Sequence, residues 1–95
     1  MAKESTFYLI AYDVPADNRR TKIHKILSGF GHWTQYSLFE CHLTAKQYLQ
    51  LRQRLAAHIN EESDSVRFYA ICSTCMQRTE TIGGEKPRDP ELYLI

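Results

Sequence analysis

The feature that most constrains this chain is an apolar run near its start that ends on a carboxylate. Residues 6–14 read T-F-Y-L-I-A-Y-D-V, a nearly continuous aromatic and aliphatic segment interrupted by Asp13. A run of this length and composition predicts a central strand that is covered on both faces. Aspartate is depleted in strands, and an ionised carboxylate resists burial unless another group pairs with it. We therefore expect Asp13 to end the strand, either as a turn-forming residue or as a functional group.

The segment after Pro15 has the pattern of a basic helix. Its apolar residues recur at the i, i+3, i+4 and i+7 positions of one helical face, at Ile23, Ile26, Leu27 and Phe30. Asp17 or Asn18 is expected to cap this helix, and Gly29 and Gly31 are expected to end it. A second helix is predicted to begin at the capping box T-A-K-Q of residues 44–47. Its apolar stripe consists of Tyr48, Leu51, Leu55 and Ile59.

Two later segments read as extended chain. Residues 33–43 fit either one strand or two short strands broken near Ser37, with Gln35, Ser37, Phe39, Cys41 and Leu43 on one face. In residues 66–72, one set of apolar residues alternates with a second, mixed set, which predicts a half-buried strand: Val66, Phe68, Ala70 and Cys72 alternate with Arg67, Tyr69 and Ile71. The order of elements predicts an α+β fold of the ferredoxin-like β-α-β-β-α-β type if the extended segment counts as two strands.

The chain is short enough to form a single domain with a small core. Its 95 residues include one Trp, six Tyr and four Phe, and a chain of this size buries only ~60–65% of its unfolded surface. A second copy is therefore expected to cover part of the apolar surface. Residues 1–78 are predicted to form the ferredoxin-like domain. Residues 79–95, with a short strand at Thr79 to Ile82 and the ending E-L-Y-L-I, are expected to dock on the partner protomer of an obligate homodimer.

Charge and composition exclude several classes of protein. A net charge of +1 argues against a generally basic, histone-like chain, so any nucleic-acid affinity has to come from a local patch. The early apolar run lacks the basic region and cleavage site of a signal peptide and is too short to span a membrane. Three cysteines cannot all pair within one chain. We expect a cytoplasmic protein without membrane association.

Residues 72–75 form a C-x-x-C motif, C-S-T-C. Zinc would need four ligands, and the sequence contains no second C-x-x-C. A redox motif normally opens a helix, whereas Met76 to Arg78 leads to another strand-like segment. The motif is therefore interpreted as a pair of structural cysteines at a strand end.

Asp13 is the main candidate for a metal ligand. Mg²⁺ prefers oxygen ligands and keeps most of its waters, so one or two carboxylates suffice to hold it. The sequence places only one acid here, while two-metal hydrolysis usually needs several. A homodimer supplies a second Asp13 by symmetry if the residue lies near the two-fold axis.

Arg19 and Arg20 form a second candidate site at the start of the basic helix. Cations at a helix N-terminus oppose the dipole, so we do not expect these residues to stabilise that end. They are interpreted either as a solvated face or as phosphate contacts, with Lys22, His24 and Lys25 nearby. We expect that removing both arginines weakens nucleic-acid binding without unfolding the protein.

Taken together, these segments resemble the CRISPR-associated Cas2 family. The resemblance is carried by Y-D-V, P-A-D-N-R-R, Q-Y-S-L-F-E-C and R-F-Y-A-I-C, and it extends to T-E-T-I-G-G and the terminal E-L-Y-L-I. It implies a ferredoxin-like homodimer whose C-terminal strand pairs with the partner's sheet. It also implies a metal-dependent endonuclease of single-stranded RNA or double-stranded DNA, within the spacer-acquisition machinery of antiviral defence, flanked by an integrase subunit.

The resemblance also implies roles for individual residues. Asp13 matches the acidic position that binds Mg²⁺, or Mn²⁺ as an alternative, and is the implied catalytic residue. Five further positions match motif segments that imply nucleic-acid binding: Tyr12, Arg19, Arg20, Ser37 and Phe39.

Several functions remain open at this point. The first is Mg²⁺-dependent cleavage of a phosphodiester, and the second is a non-catalytic adaptor dimer that holds DNA between integrase subunits. A related ribonuclease toxin and a generic ferredoxin-like regulatory domain are further alternatives. A nuclease and an adaptor would both need the same dimer and the same basic surface. The sequence therefore does not distinguish these two functions.

Overall fold

A computed structural model of the chain describes residues 4–84. Seven elements follow one another in these residues: β1 (Thr6–Asp13), α1 (Asp17–Ser28), β2 (His32–Gln35), β3 (Leu38–Leu43), α2 (Ala45–Ala56), β4 (Ser65–Ile71) and α3 (Ser73–Gln77). The four strands form one antiparallel sheet in the order β2-β3-β1-β4. The predicted α+β fold of the ferredoxin-like β-α-β-β-α-β type is confirmed, with α3 as an addition.

The hydrophobic core lies between one face of this sheet and the two long helices. Alternate residues of β1, including Ile10 and Tyr12, point toward Ile23 and Leu27 of α1 and toward Leu51 and Leu55 of α2. Both predicted helical stripes therefore face the sheet. Tyr48 and Ile59, at the ends of the second stripe, are partly buried against the same core.

The opposite face of the sheet is hereafter called the open face, because α1 and α2 do not cover it. Its β1 residues are Phe7, Leu9, Ala11 and Asp13, which alternate with the core-facing residues of that strand. Within residues 4–84, α3 contacts β1 near Phe7, at one end of this face. Tyr69, opposite Leu9 on β4, is 46% exposed. The prediction that the first strand is covered on both faces is thus wrong for a single chain.

The extended segment of residues 33–43 is broken into two strands at Tyr36 and Ser37. Tyr36 has a φ of 47°, in the left-handed region, and the pairing of β2 with β3 shifts register between Trp33 and Gln35. The shift takes Gln35 out of line with the buried residues Phe39, Cys41 and Leu43, so the predicted single face ends at the turn.

The helix ends follow the sequence pattern at α2 but not at α1. The Gln47 N–H donates to Thr44 Oγ1 at 3.2 Å and the Thr44 N–H donates to Gln47 Oε1 at 2.9 Å, which confirms the capping box. The N-cap of α1 is Ala16, without a side-chain cap, so the prediction of Asp17 or Asn18 is wrong. Asp17 instead receives a hydrogen bond from Arg20, one turn further along the helix.

The chain after β4 departs most from the sequence-based expectation. Cys72 is the N-cap of α3 and Cys75 lies within it, so the C-x-x-C motif does open a helix. Thr79 to Ile82 forms no strand in the single chain, and Ile82 is fully exposed. The docking of residues 79–95 on a partner stays a prediction, since residues 85–95 lie outside the described part of the chain. Within residues 4–84, no helix has the length and apolar character needed to cross a bilayer.

Candidate functional site

Asp13 is the last residue of β1 and its side chain is exposed on the open face. The strand is anchored on both sides of it, because Tyr12 and Val14 are buried in the core. Its neighbour across the sheet is Ser65 of β4, which adds a hydroxyl but no second charge. Among residues 4–84, no three His, Cys, Asp or Glu side chains are grouped closely enough to hold a metal ion. In the part of the chain that the structure describes, this strand end therefore offers Mg²⁺ a single accessible carboxylate, which fits the ion only with further ligands from water or a second copy.

A polar cleft lies on the other side of the same strand end. Its volume is about 440 Å³, and its lining consists of Tyr12, Arg20, Thr21, His24, Tyr36 and Ser37. The cleft is closed at its base by a backbone hydrogen bond from the Tyr12 N–H to the Ser37 carbonyl at 3.0 Å. Three of the five predicted nucleic-acid contacts, Tyr12, Arg20 and Ser37, thus meet around one opening.

The centre of this cleft is a hydrogen bond of 3.0 Å between the Tyr12 hydroxyl and Nδ1 of His24. Tyr12 is only 6% exposed, and burial raises the pKa of its phenol, against the opposing effects of the Ser37 hydrogen bond and the Arg20 charge. The phenol therefore stays protonated at neutral pH and serves as a hydrogen-bonding group. His24 is held by ring contacts with Phe39 and Trp33, at centroid distances of 5.0 and 6.3 Å.

Arg20 supports the turn that follows Asp13. Its Nη1 donates to the carbonyls of Val14 at 3.0 Å and Pro15 at 3.1 Å, and its Nη2 pairs with Asp17. Arg20 therefore fixes the turn between Asp13 and α1 while its side chain lines the cleft. A phosphate at the cleft would meet a guanidinium that the turn already orients.

Arg19 points away from the cleft, toward Asp64 in the loop before β4. Its Nε donates to Oδ2 at 2.7 Å and its Nη2 to Oδ1 at 3.1 Å, a two-bond ion pair. Asp64 is 7% exposed, and the hydrogen bond from Arg19 lowers the pKa of its carboxyl to about 2 although burial opposes this shift. The expectation that neither arginine supports the fold is therefore wrong for Arg19, because its partner is a buried charge.

Phe39 is fully buried, at 0% exposure, and packs against Tyr12 and His24. A direct contact between this ring and a nucleotide is incompatible with that burial. Phe39 occurs in the motif Q-Y-S-L-F-E because its ring packs beneath the cleft and holds Tyr12 and His24 in place. Ser37 lies at the surface of the turn between β2 and β3, beside the 86%-exposed Tyr36.

Sequence reasoning missed two features of this region. His24 was noted only as one of several groups near the arginines, and its partner Tyr12 lies 12 positions away, so no local spacing indicates the pair. The second feature is a basic groove between α1 and α2, whose cationic residues come from separate parts of the chain. It has a volume of about 390 Å³, and its charged lining consists of Lys22, Lys25, Arg54 and His58, with no acidic residue.

Comparisons with known proteins identify the family of the chain. The sequence model of the family described as CRISPR associated protein Cas2 matches residues 6–79 of the chain. The chain belongs to the CRISPR-associated Cas2 family. The CRISPR-associated endoribonuclease Cas2 1 of Chloroflexus aurantiacus is 44% identical over 92 residues, which cover 94% of this chain and 99% of that protein.

Solved Cas2 structures share the fold. The Streptococcus pyogenes Cas2 crystal structure matches with a TM-score of 0.70 at 32% identity, over 81% of this chain and 99% of that one. A chain of a partial Cas6-RT-Cas1–Cas2 complex matches with a TM-score of 0.70 at 26% identity, over 85% of this chain and 94% of that one. The resemblance to the Cas2 family drawn from the sequence motifs is confirmed.

Proposed function

We propose that this Cas2-family chain is a metal-dependent endonuclease that cleaves single-stranded RNA as a homodimer, within the spacer-acquisition machinery of antiviral defence. The observation that carries the proposal is the position of Asp13. It is an exposed carboxylate at the end of the central strand, held by buried neighbours on either side and placed on the open face. The name of the Chloroflexus aurantiacus relative, an endoribonuclease, favours RNA over DNA as the substrate.

The open face supports the homodimer. Leu9 and Tyr69 lie side by side on it, and Tyr69 is 46% exposed, so apolar surface is left uncovered in the single chain. A two-fold interface on this face uses the same surface patch of both copies, and a residue near the axis meets its own counterpart. Asp13 lies at the end of β1 on this same face. In the dimer it approaches the Asp13 of the other copy, so two carboxylates are available where the free chain has one.

The two Asp13 side chains are the residues that would hold Mg²⁺, with Mn²⁺ as the alternative. When bound, the ion supplies a Lewis acid for the scissile phosphate. The chain's own groups bind and orient the RNA: Arg20 offers a guanidinium to a phosphate, and the hydroxyls of Tyr12 and Ser37 offer hydrogen bonds to the ribose. Tyr36, exposed at the rim of the cleft, offers a ring on which a base can stack.

The experiment that tests this function compares wild type with Asp13→Asn, each with Mg²⁺ and with chelator, on single-stranded RNA. Asp13→Asn removes the charge at nearly constant shape, so we expect loss of Mg²⁺-dependent cleavage with the dimer intact. Glu62→Gln is the matched control, because it removes one carboxylate charge from an exposed loop residue outside β1. If the Asp13→Asn variant still cleaves RNA, and cleavage also continues when chelator is present, Asp13 only ends the strand and has no catalytic role.

A second candidate function, a non-catalytic DNA-binding adaptor between Cas1-type integrase subunits, is favoured by the basic groove. Its Lys22, Lys25, Arg54 and His58 concentrate positive charge on a chain whose net charge is only +1. The likeness to a chain of a partial Cas6-RT-Cas1–Cas2 complex supports a Cas1 subunit as the partner. Lysines at a surface of this kind neutralise backbone phosphates independently of sequence.

The adaptor is tested by titrating duplex DNA at several salt concentrations. Lys22→Gln with Lys25→Gln is expected to weaken binding and to reduce the salt slope by ~2, about one for each lost phosphate contact. Lys46→Gln with Arg52→Gln removes the same charge from α2 outside the groove and is the control. An unchanged slope in the groove variant rules the groove out. Spacer acquisition in cells by Asp13→Asn separates the functions, because an adaptor does not need that carboxylate.

A further inference from the structure

The C-x-x-C motif of residues 72–75 has no part in the nuclease or the adaptor. Cys72 follows β4 and caps α3, and Cys75 lies within that helix. Both cysteines are exposed, whereas Cys41 is buried in the core. The chain thus contains an exposed pair of thiols and, elsewhere in the same fold, a buried thiol for comparison.

The turn that joins the two exposed cysteines holds them on the same side. The Met76 N–H donates to the Cys72 carbonyl at 3.0 Å, and the Arg78 N–H donates to the Cys75 carbonyl at 3.1 Å, so the helical turn is closed. Residues three positions apart in such a turn have Cβ atoms about 5–6 Å apart. Disulfides need Cβ atoms about 3.5–4.5 Å apart, so the turn has to tighten by about 1–2 Å to bring the two sulfurs to bonding distance.

The two thiols differ in reactivity. Hydrogen bonds from the backbone N–H and the thiol of Cys75 lower the pKa of Cys72, and the same thiol contact raises the pKa of Cys75. Burial raises the pKa of Cys41 to about 12. Because the thiolate is the nucleophile, Cys72 is the attacking sulfur, Cys75 the resolving one, and Cys41 is inert at neutral pH.

A small molecule has access to the attacking sulfur. Cys72 lines a cavity of about 650 Å³ at the end of the sheet, between the start of β1 and α3. Its polar lining includes Ser5, Thr6, Ser73 and Gln77. These groups suit a polar ligand of peptide size.

We propose that Cys72 and Cys75 form a reversible dithiol–disulfide site that reacts with low-molecular-weight disulfides of the glutathione type. The Cys72 thiolate attacks one sulfur of the small disulfide, forms a mixed disulfide and expels the first thiolate. Cys75 then loses its proton and attacks Sγ of Cys72, which forms the protein disulfide and expels the second thiolate. Two protein thiols are oxidised, the small disulfide is reduced to two thiols, and the two protons released pass to the leaving groups.

The test treats the reduced full-length protein with oxidised glutathione and maps the products by mass spectrometry. Wild type is expected to lose two hydrogens on the peptide that contains both cysteines and to carry no glutathione. Cys75→Ser is expected to keep one glutathione on Cys72, and Cys72→Ser to react at least roughly tenfold more slowly than Cys75→Ser. Wild type that keeps both thiols reduced, or that accumulates a stable glutathione adduct, overturns the proposal.

A second measurement needs no variant and so does not depend on how substitutions affect folding. Iodoacetamide is added to the reduced wild type, and the alkylation rate of each cysteine is measured at peptide level. Cys72 is expected to react at least roughly tenfold faster than Cys41. Equal rates at the two positions contradict the proposal. Neither measurement involves nucleic acid, so both are independent of the proposed nuclease.

Discussion

Arg19 and Asp64 lie 45 positions apart in the chain and are joined by two hydrogen bonds, from Nε to Oδ2 at 2.7 Å and from Nη2 to Oδ1 at 3.1 Å. The pair ties the first turn of α1 to the loop before β4. Asp64 also accepts from the Asn60 N–H at 3.0 Å and from the Ser63 hydroxyl at 3.0 Å, so it organises that loop. A residue that the motif indicates as a nucleic-acid contact is thus part of the framework of the fold.

We predict that Arg19→Gln destabilises the protein. It leaves the buried Asp64 carboxylate without its cation, and breaking one side of such a pair should lower the melting temperature by roughly 10 °C. Lys22→Gln, which removes an exposed charge from the same helix, is the control and should melt close to wild type. Thermal unfolding followed by circular dichroism gives both values, and equal melting of the two variants would show that the ion pair adds nothing.

The same pair predicts a dependence of stability on acid. The pKa of Asp64 is lowered from 3.8 to about 2 in the folded chain, chiefly by the hydrogen bond from Arg19. The stabilisation is therefore complete above about pH 4 and is lost as the pH falls toward 2. We expect the gap in melting temperature between wild type and Arg19→Gln to shrink over this range. A gap that stays constant from pH 4 to pH 2 is inconsistent with this origin.

The two glycines after α1 are predicted to differ sharply in their tolerance of alanine. A Cβ at Gly31 would lie 2.2 Å from Cys41 Sγ and 2.5 Å from the Glu40 carbonyl, so β3 would have to move. Overpacking of this kind costs about 1–3 kcal/mol. A Cβ at Gly29 has its nearest neighbour at 3.4 Å, and Gly29→Ala is expected to be close to neutral. Chemical denaturation of both variants tests the contrast, which equal free energies of unfolding would contradict.

The open face is predicted to be the dimer interface. Leu9→Lys places a charge at its centre and should yield monomer in light scattering, whereas Leu49→Lys, on the 60%-exposed outer side of α2, should leave the dimer intact. Deleting residues 79–95 tests the expected docking of the tail, and we expect monomer or aggregate. If Leu9→Lys still forms a stable dimer, the interface lies elsewhere on the chain. If the chain that lacks residues 79–95 still forms a stable dimer, the tail is not needed for dimerisation.

The polar cleft is predicted to contribute to RNA binding through the Tyr12 hydroxyl. Tyr12→Phe keeps the buried ring and removes the hydroxyl with its hydrogen bonds to His24 and Ser37, at a cost of about 0.5–1.5 kcal/mol for each bond. We expect RNA affinity to fall by about 2- to 10-fold without loss of fold. Tyr48→Phe, on α2 away from the cleft, is the control in a fluorescence anisotropy titration. Equal affinities of the two variants remove the hydroxyl from the site.

Local patterns in the sequence account for the parts of this fold whose causes are local. The capping box at Thr44 and Gln47 and the helical stripe at Ile23 and Leu27 involve residues within four positions of each other. Five-residue α3 is shorter than the window in which helical periodicity is visible, so it was read as extended chain. The break between β2 and β3 was not predictable, because it depends on the left-handed backbone of Tyr36, and tyrosine has no preference for that conformation.

The candidate site was predictable only in part, and the reason is the separation of its residues in sequence. Asp13 stands out by itself, because a carboxylate that ends an apolar strand is unusual. The partners Tyr12 with His24 and Arg19 with Asp64 come together only when the helices and the sheet pack. The motif resemblance implies that Phe39 contacts nucleic acid, whereas its burial shows that it packs beneath the cleft.

The central place of β1 has a consequence for synthesis. The strand leaves the ribosome before the other three strands, but its two neighbours in the sheet are β3 and β4. Its last partner is complete only after the 58 residues from Val14 to Ile71 have been added. At roughly 5–20 residues per second this takes about 3–12 s, during which the most apolar segment of the chain has an unpaired edge. Until β4 is complete, the free edge of β1 is open to pairing with another strand.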